Sequence, residues 1–409
     1  MRFLWLPVLL AFVAWRNARP LHQIAQYHAL KKCDTIKADN LAFCEDAVFW
    51  DVRDAKDRLK DRRLILSCDP GRKNWNTVMG PLRNPEPHGA LWVIGADRRA
   101  KKITLKDYPI GHDFHPLGID IWHSTPANVT SNLFVVNHGR NRTTIEHFTL
   151  HPKDPTNAKW VRTISSRYLI SPNAIAMTSP TSFYVSNDHL LTRRLPSIIG
   201  HTLPLVESLL GLPGGYVNHV SLHTAPDSTT VVRYTFPLLG IPFANGIAVS
   251  PNGKLLAVSS SSMARVHLYN RNASNNDALQ PAGDIQVPFA PDNVAWDASG
   301  ALLIAGHPDF PALTALAKNA SMTATAPSWV VRASPTTQKA SSNDTKAFDT
   351  QAPFSASNRA SATPGWLVET MYQSNGTGFS SSSTALRDDR NGKLWITGLY
   401  AEGVLQCSP

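Results

Sequence analysis

Short stretches of alternating apolar and polar residues dominate the chain, and they recur in a fixed order. Each copy opens on a short polar or acidic residue and alternates apolar positions. It then turns at Gly, Asp or Asn and gives a second apolar strand. Glu45-Asp46-Ala47-Val48-Phe49-Trp50 leads to Leu64-Ile65-Leu66-Ser67, and Leu117-Gly118-Ile119-Asp120-Ile121 leads to Leu133-Phe134-Val135-Val136-Asn137-His138. Pro172-Asn173-Ala174-Ile175-Ala176 leads to Phe183-Tyr184-Val185-Ser186-Asn187-Asp188-His189. Phe243-Ala244-Asn245-Gly246-Ile247-Ala248-Val249 runs into the turn Ser250-Pro251-Asn252-Gly253-Lys254. Asp292-Asn293-Val294-Ala295-Trp296 precedes Leu302-Leu303-Ile304-Ala305-Gly306-His307, and Thr384-Ala385-Leu386 precedes Lys393-Leu394-Trp395-Ile396-Thr397. Six copies at this spacing predict an all-β chain folded as a six-bladed β-propeller.

The register carries chemistry too. The first strand of each propeller blade lines the central channel, so equivalent residues of the repeats converge on one axial spot. Here they are Glu45, Leu117, Asn173, Asn245, Asp292 with Asn293, and Thr384. Asn and Asp are also ordinary turn residues, and only their recurrence across blades argues for a shared site. Carboxylates and carboxamides together make a hard-oxygen cage, the donor set that calcium prefers. No Cys or His holds these positions, which disfavours soft metals.

At 409 residues the chain has room for several domains, but propellers use this length as one. The net charge is +10, from 40 Lys and Arg against 30 Asp and Glu. No basic run with interleaved aromatics accompanies it, so the excess reads as a solvated basic surface and not as a nucleic-acid site. Residues 1–30 read as a secretory leader or signal anchor. Arg2 precedes an apolar run that ends at Trp15-Arg16, too short for a comfortable membrane span. No clean small-x-small site precedes Arg16, which leaves retention as an anchor open.

Residues 31–409 then form the propeller, with an apolar insertion at 190–223 and a Ser/Thr/Ala-rich surface excursion at 316–365. The first insertion is apolar enough to cover the channel mouth or, with the leader, to touch a membrane surface. Sequons at Asn128, Asn141, Asn272, Asn319, Asn343 and Asn375 agree with secretion. Four cysteines fit an oxidising compartment and allow three pairings. Cys33 and Cys407 lie near the two ends of the ring, which favours their pairing and leaves Cys44 with Cys68 around the first hairpin.

Glu45-Asp46, Asn173 after Pro172, Phe243-Ala244-Asn245-Gly246-Ile247, Asp292-Asn293 and the terminal Cys407 together resemble the serum paraoxonase/arylesterase family. These are calcium-dependent lactonases and esterases related to the gluconolactonase and diisopropyl-fluorophosphatase propellers. The resemblance runs from about Cys33 to Cys407, and Asn187-Asp188-His189 and Gly306-His307-Pro308 strengthen it. It implies one catalytic calcium held by Glu45, Asn173, Asn245, Asp292 and Asn293, the same cage reached from register. It also implies a structural calcium held by Asp46, a backbone oxygen near Ile119, and an Asp beside the ligand Asn. That last position is Ala174 here, one carboxylate fewer. The family's Asn-Pro-His-Gly-Ile appears as His115-Pro116-Leu117-Gly118-Ile119, so its channel histidine is Leu117, while the partner histidine is kept as His138.

The implied activity is hydrolysis of a small ester or lactone, with the metal polarising the carbonyl for attack by water. His138, Asp292 and His189 are the catalytic candidates, with His307 in reserve, and His115 beside Pro116 reads as a turn residue. No Gly-x-Ser-x-Gly elbow supports a serine nucleophile. Two alternatives stand: a propeller that binds calcium without hydrolysis, and a strictosidine-synthase-like condensing enzyme.

Overall fold

The computed structural model describes residues 26–86, 88–124, 129–225, 229–318, 324–336 and 363–409. They form six sheets, antiparallel but for one edge strand, in chain order around a closed ring. Blade one contains Cys44–Arg53, Leu59–Cys68, Ala90–Ile94 and Ala100–Lys102. Blade two contains Pro116–Trp122, Ser131–Asn137, Thr144–His151 and Asp154–Ile164, with Thr104–Lys106 added in parallel at its outer edge. Blade three runs Pro172–Ser179, Ser182–Asn187, Gly215–Thr224 and Thr230–Ile241, and blade four Ala244–Val249, Leu255–Ser260, Arg265–Asn272 and Asn275–Gln286. Blade five holds Ala290–Trp296, Leu302–His307, Ser328–Pro335 and Trp366–Ser374. Blade six is Ser382–Asp388, Lys393–Gly398 and Val404–Ser408. Its outer strand comes from the other end of the ring: Lys32–Ile36 pairs with Val404–Ser408.

First strands of successive blades pack side by side, and Ser382–Asp388 returns to Cys44–Arg53. The apolar residues of the alternating pattern meet between blades. One cluster joins Val266 and Leu268 of blade four to Ile304 and Trp329 of blade five; another joins Ile65 and Val93 of blade one to Ile119 and Phe148 of blade two. The core is thus a ring of inter-blade layers around the channel.

Cys33 lies directly opposite Cys407 in the closing sheet, and the two are bonded with Cα atoms 4.0 Å apart. Cys44 and Cys68 pair across the first hairpin of blade one. Both pairings are as expected.

The two insertions need correction. Within 190–223 only Ser197–Leu210 is an inserted helix, because Gly215–Thr224 is the third strand of blade three, with Tyr216, Val217 and Val220 buried. Within 316–365, Ser328–Pro335 is the third strand of blade five, and Trp329, Val330 and Val331 are core residues. The polar composition around that short apolar run hid it. Residues 319–323 and 337–362 lie outside the described residues, as do residues 1–25 of the expected leader and the sequons at Asn128, Asn319 and Asn343. Tyr27–His28, assigned to the leader, pairs with Trp366–Ser374 of blade five. Asn141, Asn272 and Asn375 are exposed. Among the described residues no helix is long and apolar enough to cross a membrane.

Candidate functional site

Every first strand carries a register irregularity at its start: Cys44/Asp46, Pro116/Ile119, Pro172/Ile175, Ala244/Ile247, Pro291/Val294 and Ser382/Ala385. Bulges re-aim the side chains they carry, and these are the positions of Glu45, Leu117, Asn173, Asn245, Asp292 with Asn293, and Thr384. Adjacent bulges approach so closely that two positions require glycine. A Cβ on Gly118 would lie 2.2 Å from the Asn173 carbonyl oxygen, and one on Gly246 would lie 2.5 Å from the Asn293 Cα. Hydroxyls then tie blade to blade. Ser259 donates to the Asp292 carbonyl at 2.6 Å, Ser261 to the Pro291 carbonyl at 2.6 Å, and Ser383 to the Glu45 carbonyl at 2.6 Å.

First strands begin, and second strands end, at the same end of the ring. There a cavity of about 90 Å³ is lined by Glu45, Asn173, Asn245 and Asp292 together with Asp69, His115 and His138. The amides are oriented by the acceptors that take their NH2 groups. Asn173 donates to Asp188 at 3.3 Å, Asn245 to the Ser261 hydroxyl at 3.1 Å, and Asn293 to Glu45 Oε1 at 2.8 Å and the Thr384 hydroxyl at 2.9 Å. Their carbonyl oxygens are left over. Asn173 Oδ1, Asn245 Oδ1, Asn293 Oδ1 and Glu45 Oε2 are all buried without a hydrogen-bond partner. Each such orphan costs roughly 1–3 kcal/mol, so several around one cavity call for a cation. Burial first, then the charges of Asp46 and Asp292, push the Glu45 carboxyl well above its ordinary value. Among the described residues no three His, Cys, Asp or Glu side chains cluster as metal ligands. The donors are mainly amide oxygens, a hard set that suits calcium.

The position implied for a second ion is engaged by the chain's own hydrogen bonds. Asp46 Oδ2 accepts from the Ile119 amide at 2.9 Å, while Oδ1 accepts from the Ala47 amide at 2.8 Å and the Thr384 hydroxyl at 2.9 Å. Three hydrogen bonds from the chain engage this carboxylate, and Ala174 offers no oxygen donor in its side chain. Burial pushes Asp46 up to about 7. In the structure these bonds make Asp46 a tie between blades one, two and six.

The histidines also rearrange. His138 lines the cavity, but its Nε2 donates to the Pro172 carbonyl at 2.8 Å and its Nδ1 accepts from Thr77 at 2.6 Å. Both nitrogens are thus committed, and burial holds the imidazole down to about 4. His189 is fully buried against Ser208 of the helix, 2.6 Å away, and does not line the cavity. As a catalytic candidate it is displaced by that helix. His307 lines the cavity, with Nε2 2.9 Å from Asp292 Oδ2.

His115, read from sequence as a turn residue, is the unexpected participant. It is buried in the cavity wall with Nδ1 2.9 Å from Asp69 Oδ2, and its Nε2 has no partner. Asp69 follows the disulfide-bonded Cys68, and its Oδ1 accepts from the Gly71 amide at 2.9 Å. Arg72 reaches the same wall and donates to the Pro116 carbonyl at 3.0 Å. The one sequence signal for His115 was its place two residues before Leu117, which occupies the cavity wall as expected.

The arylesterase family profile matches residues 82–352. Mouse serum paraoxonase/arylesterase 1 is 31% identical over 232 residues, 55% of this chain and 59% of that protein. Human serum paraoxonase/lactonase 3 is 28% identical over 229 residues, again 55% and 59%. The chain thus spans less than two thirds of the curated relatives it matches. A luciferin-regenerating enzyme overlays with a TM-score of 0.48 at 12% identity, covering 92% of this chain and 96% of that one. With the profile spanning more than half of its residues, the chain belongs to the arylesterase family.

Proposed function

We propose that this chain is a calcium-dependent hydrolase of carboxylic esters or lactones. The observation that carries the reading is the group of buried, partnerless oxygens on Glu45, Asn173 and Asn245, which line the cavity with Asp292, joined by the partnerless Asn293 oxygen on the residue after it. When bound there, calcium supplies Lewis acidity toward a carbonyl oxygen. The chain's own groups supply the rest. His115 Nε2 takes a proton from the water that attacks the carbonyl carbon, and returns it to the departing alkoxide as the ester C–O bond breaks. Asp69 fixes the Nδ1–H tautomer and steadies the imidazolium that forms. Leu117, Phe243 and Leu313 line the cavity with apolar surface for the non-reacting part of the substrate. The relatives' names, arylesterase and lactonase, agree with this chemistry. Two disulfides and exposed sequons support a secretory route.

Hydrolysis of phenyl acetate and of δ-valerolactone, measured with and without EGTA, tests the proposal. Turnover lost to chelator and restored by calcium is expected; turnover indifferent to chelator would remove calcium from the mechanism. One observation favours a second reading, a calcium-binding propeller without hydrolysis: Leu117 stands where the family pattern has a histidine. Calcium binding without turnover of either substrate would select it.

A further inference from the structure

A second cavity, of about 740 Å³, adjoins the central one, and the two share Asn76, Met79, Phe310, Leu313 and Leu399 in their walls. Their charges are opposed. Four carboxylates, Glu45, Asp69, Asp188 and Asp292, line the inner cavity against the one cation Arg72, whereas Lys73, Arg83, Arg193, Arg194 and Lys318 line the outer one, whose described wall has no Asp or Glu. The two arginines at 193 and 194 are partly buried, and no anion among the described residues pairs with them. Arg194 donates to the Gly139 carbonyl at 2.5 Å and the Arg140 carbonyl at 2.9 Å, and its Nε is buried without a partner. Arg193 donates to the Gly80 carbonyl at 2.5 Å and to His201 Nε2 at 2.8 Å. Burial accordingly holds Arg194 down to about 10. A guanidinium that has lost water and met only carbonyls is an incomplete ion site, and a carboxylate completes it through two parallel hydrogen bonds. Beside these cations the wall is apolar, with Leu195, Leu205, Phe310 and Leu313.

We infer that the outer cavity is a subsite for an anionic amphiphile. Its ligand is an ester or lactone whose apolar chain lies along Phe310 and Leu313 and whose free carboxylate is held by Arg194 and Arg193, with the scissile carbonyl in the inner cavity. The inference rests on the hydrolase reading for the word substrate, but the anion site itself does not. The same cations raise the encounter rate of anionic ligands and make their binding sensitive to salt.

Calorimetric titration of the full chain with octanoate and with its neutral counterpart octanamide tests this. Octanoate should bind at least about tenfold tighter, the gap narrowing in about 0.5 M NaCl. Arg194→Met should bring the two affinities together. Because Arg194 also ties down two loop carbonyls, the exposed pair Arg83→Glu and Lys318→Glu provides a second variant, which should narrow the gap as well. Equal affinities in the wild type, or a gap that persists in both variants, overturns the inference. Ester turnover separates it from the reading beneath: octanoate preference without hydrolysis sinks the hydrolase and keeps the anion site, while hydrolysis without octanoate preference sinks the site alone.

Discussion

Asp69 and His115, 46 residues apart, form a buried pair with 2.9 Å between Oδ2 and Nδ1, and the far nitrogen of the imidazole is left without a partner in the cavity wall. A carboxylate that fixes one nitrogen and frees the other is how an imidazole is prepared to take a proton. His115→Ala should lower kcat by about 10²–10³ and leave calcium affinity unchanged. Added imidazole should restore part of the rate, since the truncation opens space where the ring sat. Asp69→Asn should lose less than His115→Ala. Full activity in the alanine variant would return the base to another group.

The oxygen cage makes a separate demand. Asn245 reaches the cavity through an amide whose NH2 is already given to Ser261, so its carbonyl oxygen is oriented before any ion arrives. Asn245→Ala removes that donor without removing a charge. It should weaken calcium binding at least about tenfold, read by titration of the chelated protein, and reduce activity in proportion. Ser261→Ala should produce a smaller loss, because the oxygen remains but its orientation is freed. Unaltered calcium affinity in the Asn245 variant would place the ion elsewhere.

Much of this arrangement was legible in the chain. Two-residue alternation marks strands whatever their partners, and the recurrence of Asn, Asp and Glu at one register placed Glu45, Asn173, Asn245 and Asp292 around one cavity. The disulfide pairing followed from ring closure at Cys33 and Cys407. What stayed hidden depends on direction in space. Nothing local distinguishes His138, whose nitrogens meet Thr77 and the Pro172 carbonyl, from His115, whose Nε2 meets nothing. Asp46 was named a ligand by the family resemblance, while the Ile119 amide and Thr384 hydroxyl that engage it come from other blades and leave no trace beside it in sequence. Ser328–Pro335 was missed because its apolar run, Trp329-Val330-Val331, is short and its flanks are polar.

Acid stability should report on His147, away from the cavity. Its ring stacks on Phe134 with centroids 4.3 Å apart, and its Nε2 meets Asn132 at 2.8 Å. Burial, and then the charge of Arg162, hold it down to about 4. The unfolded chain therefore takes this proton first as pH falls through its ordinary value. Stability is complete above about pH 6.5, declines as pH drops toward 4, and stops declining on this account below that. The loss is on the order of 3 kcal/mol. Urea unfolding at pH 7.5 and pH 4.5 should show it, and His147→Phe, which keeps the stack and cannot titrate, should reduce the difference. An equal difference in the variant would assign the acid sensitivity to other groups.

Gly246 tests whether ring closure and the cage are one structure. Its missing Cβ leaves room for the neighbouring blade: the added atom would lie 2.5 Å from Asn293 Cα, 2.6 Å from the Asp292 carbonyl oxygen and 2.8 Å from the Val294 nitrogen. Every one of those atoms is backbone, so no side chain can swing aside. Gly246→Ala must push Ala290–Trp296 outward, and Asp292 and Asn293 ride on that strand. The variant should lower the melting temperature and weaken calcium binding together. Gly300→Ala is the control, since it places a Cβ in open space on a residue with φ of +82°. That substitution carries the backbone strain alone, about 1 kcal/mol, and should leave calcium affinity intact. If Gly246→Ala lowers stability and calcium still binds as tightly, the oxygen donors do not depend on the close approach of blades four and five.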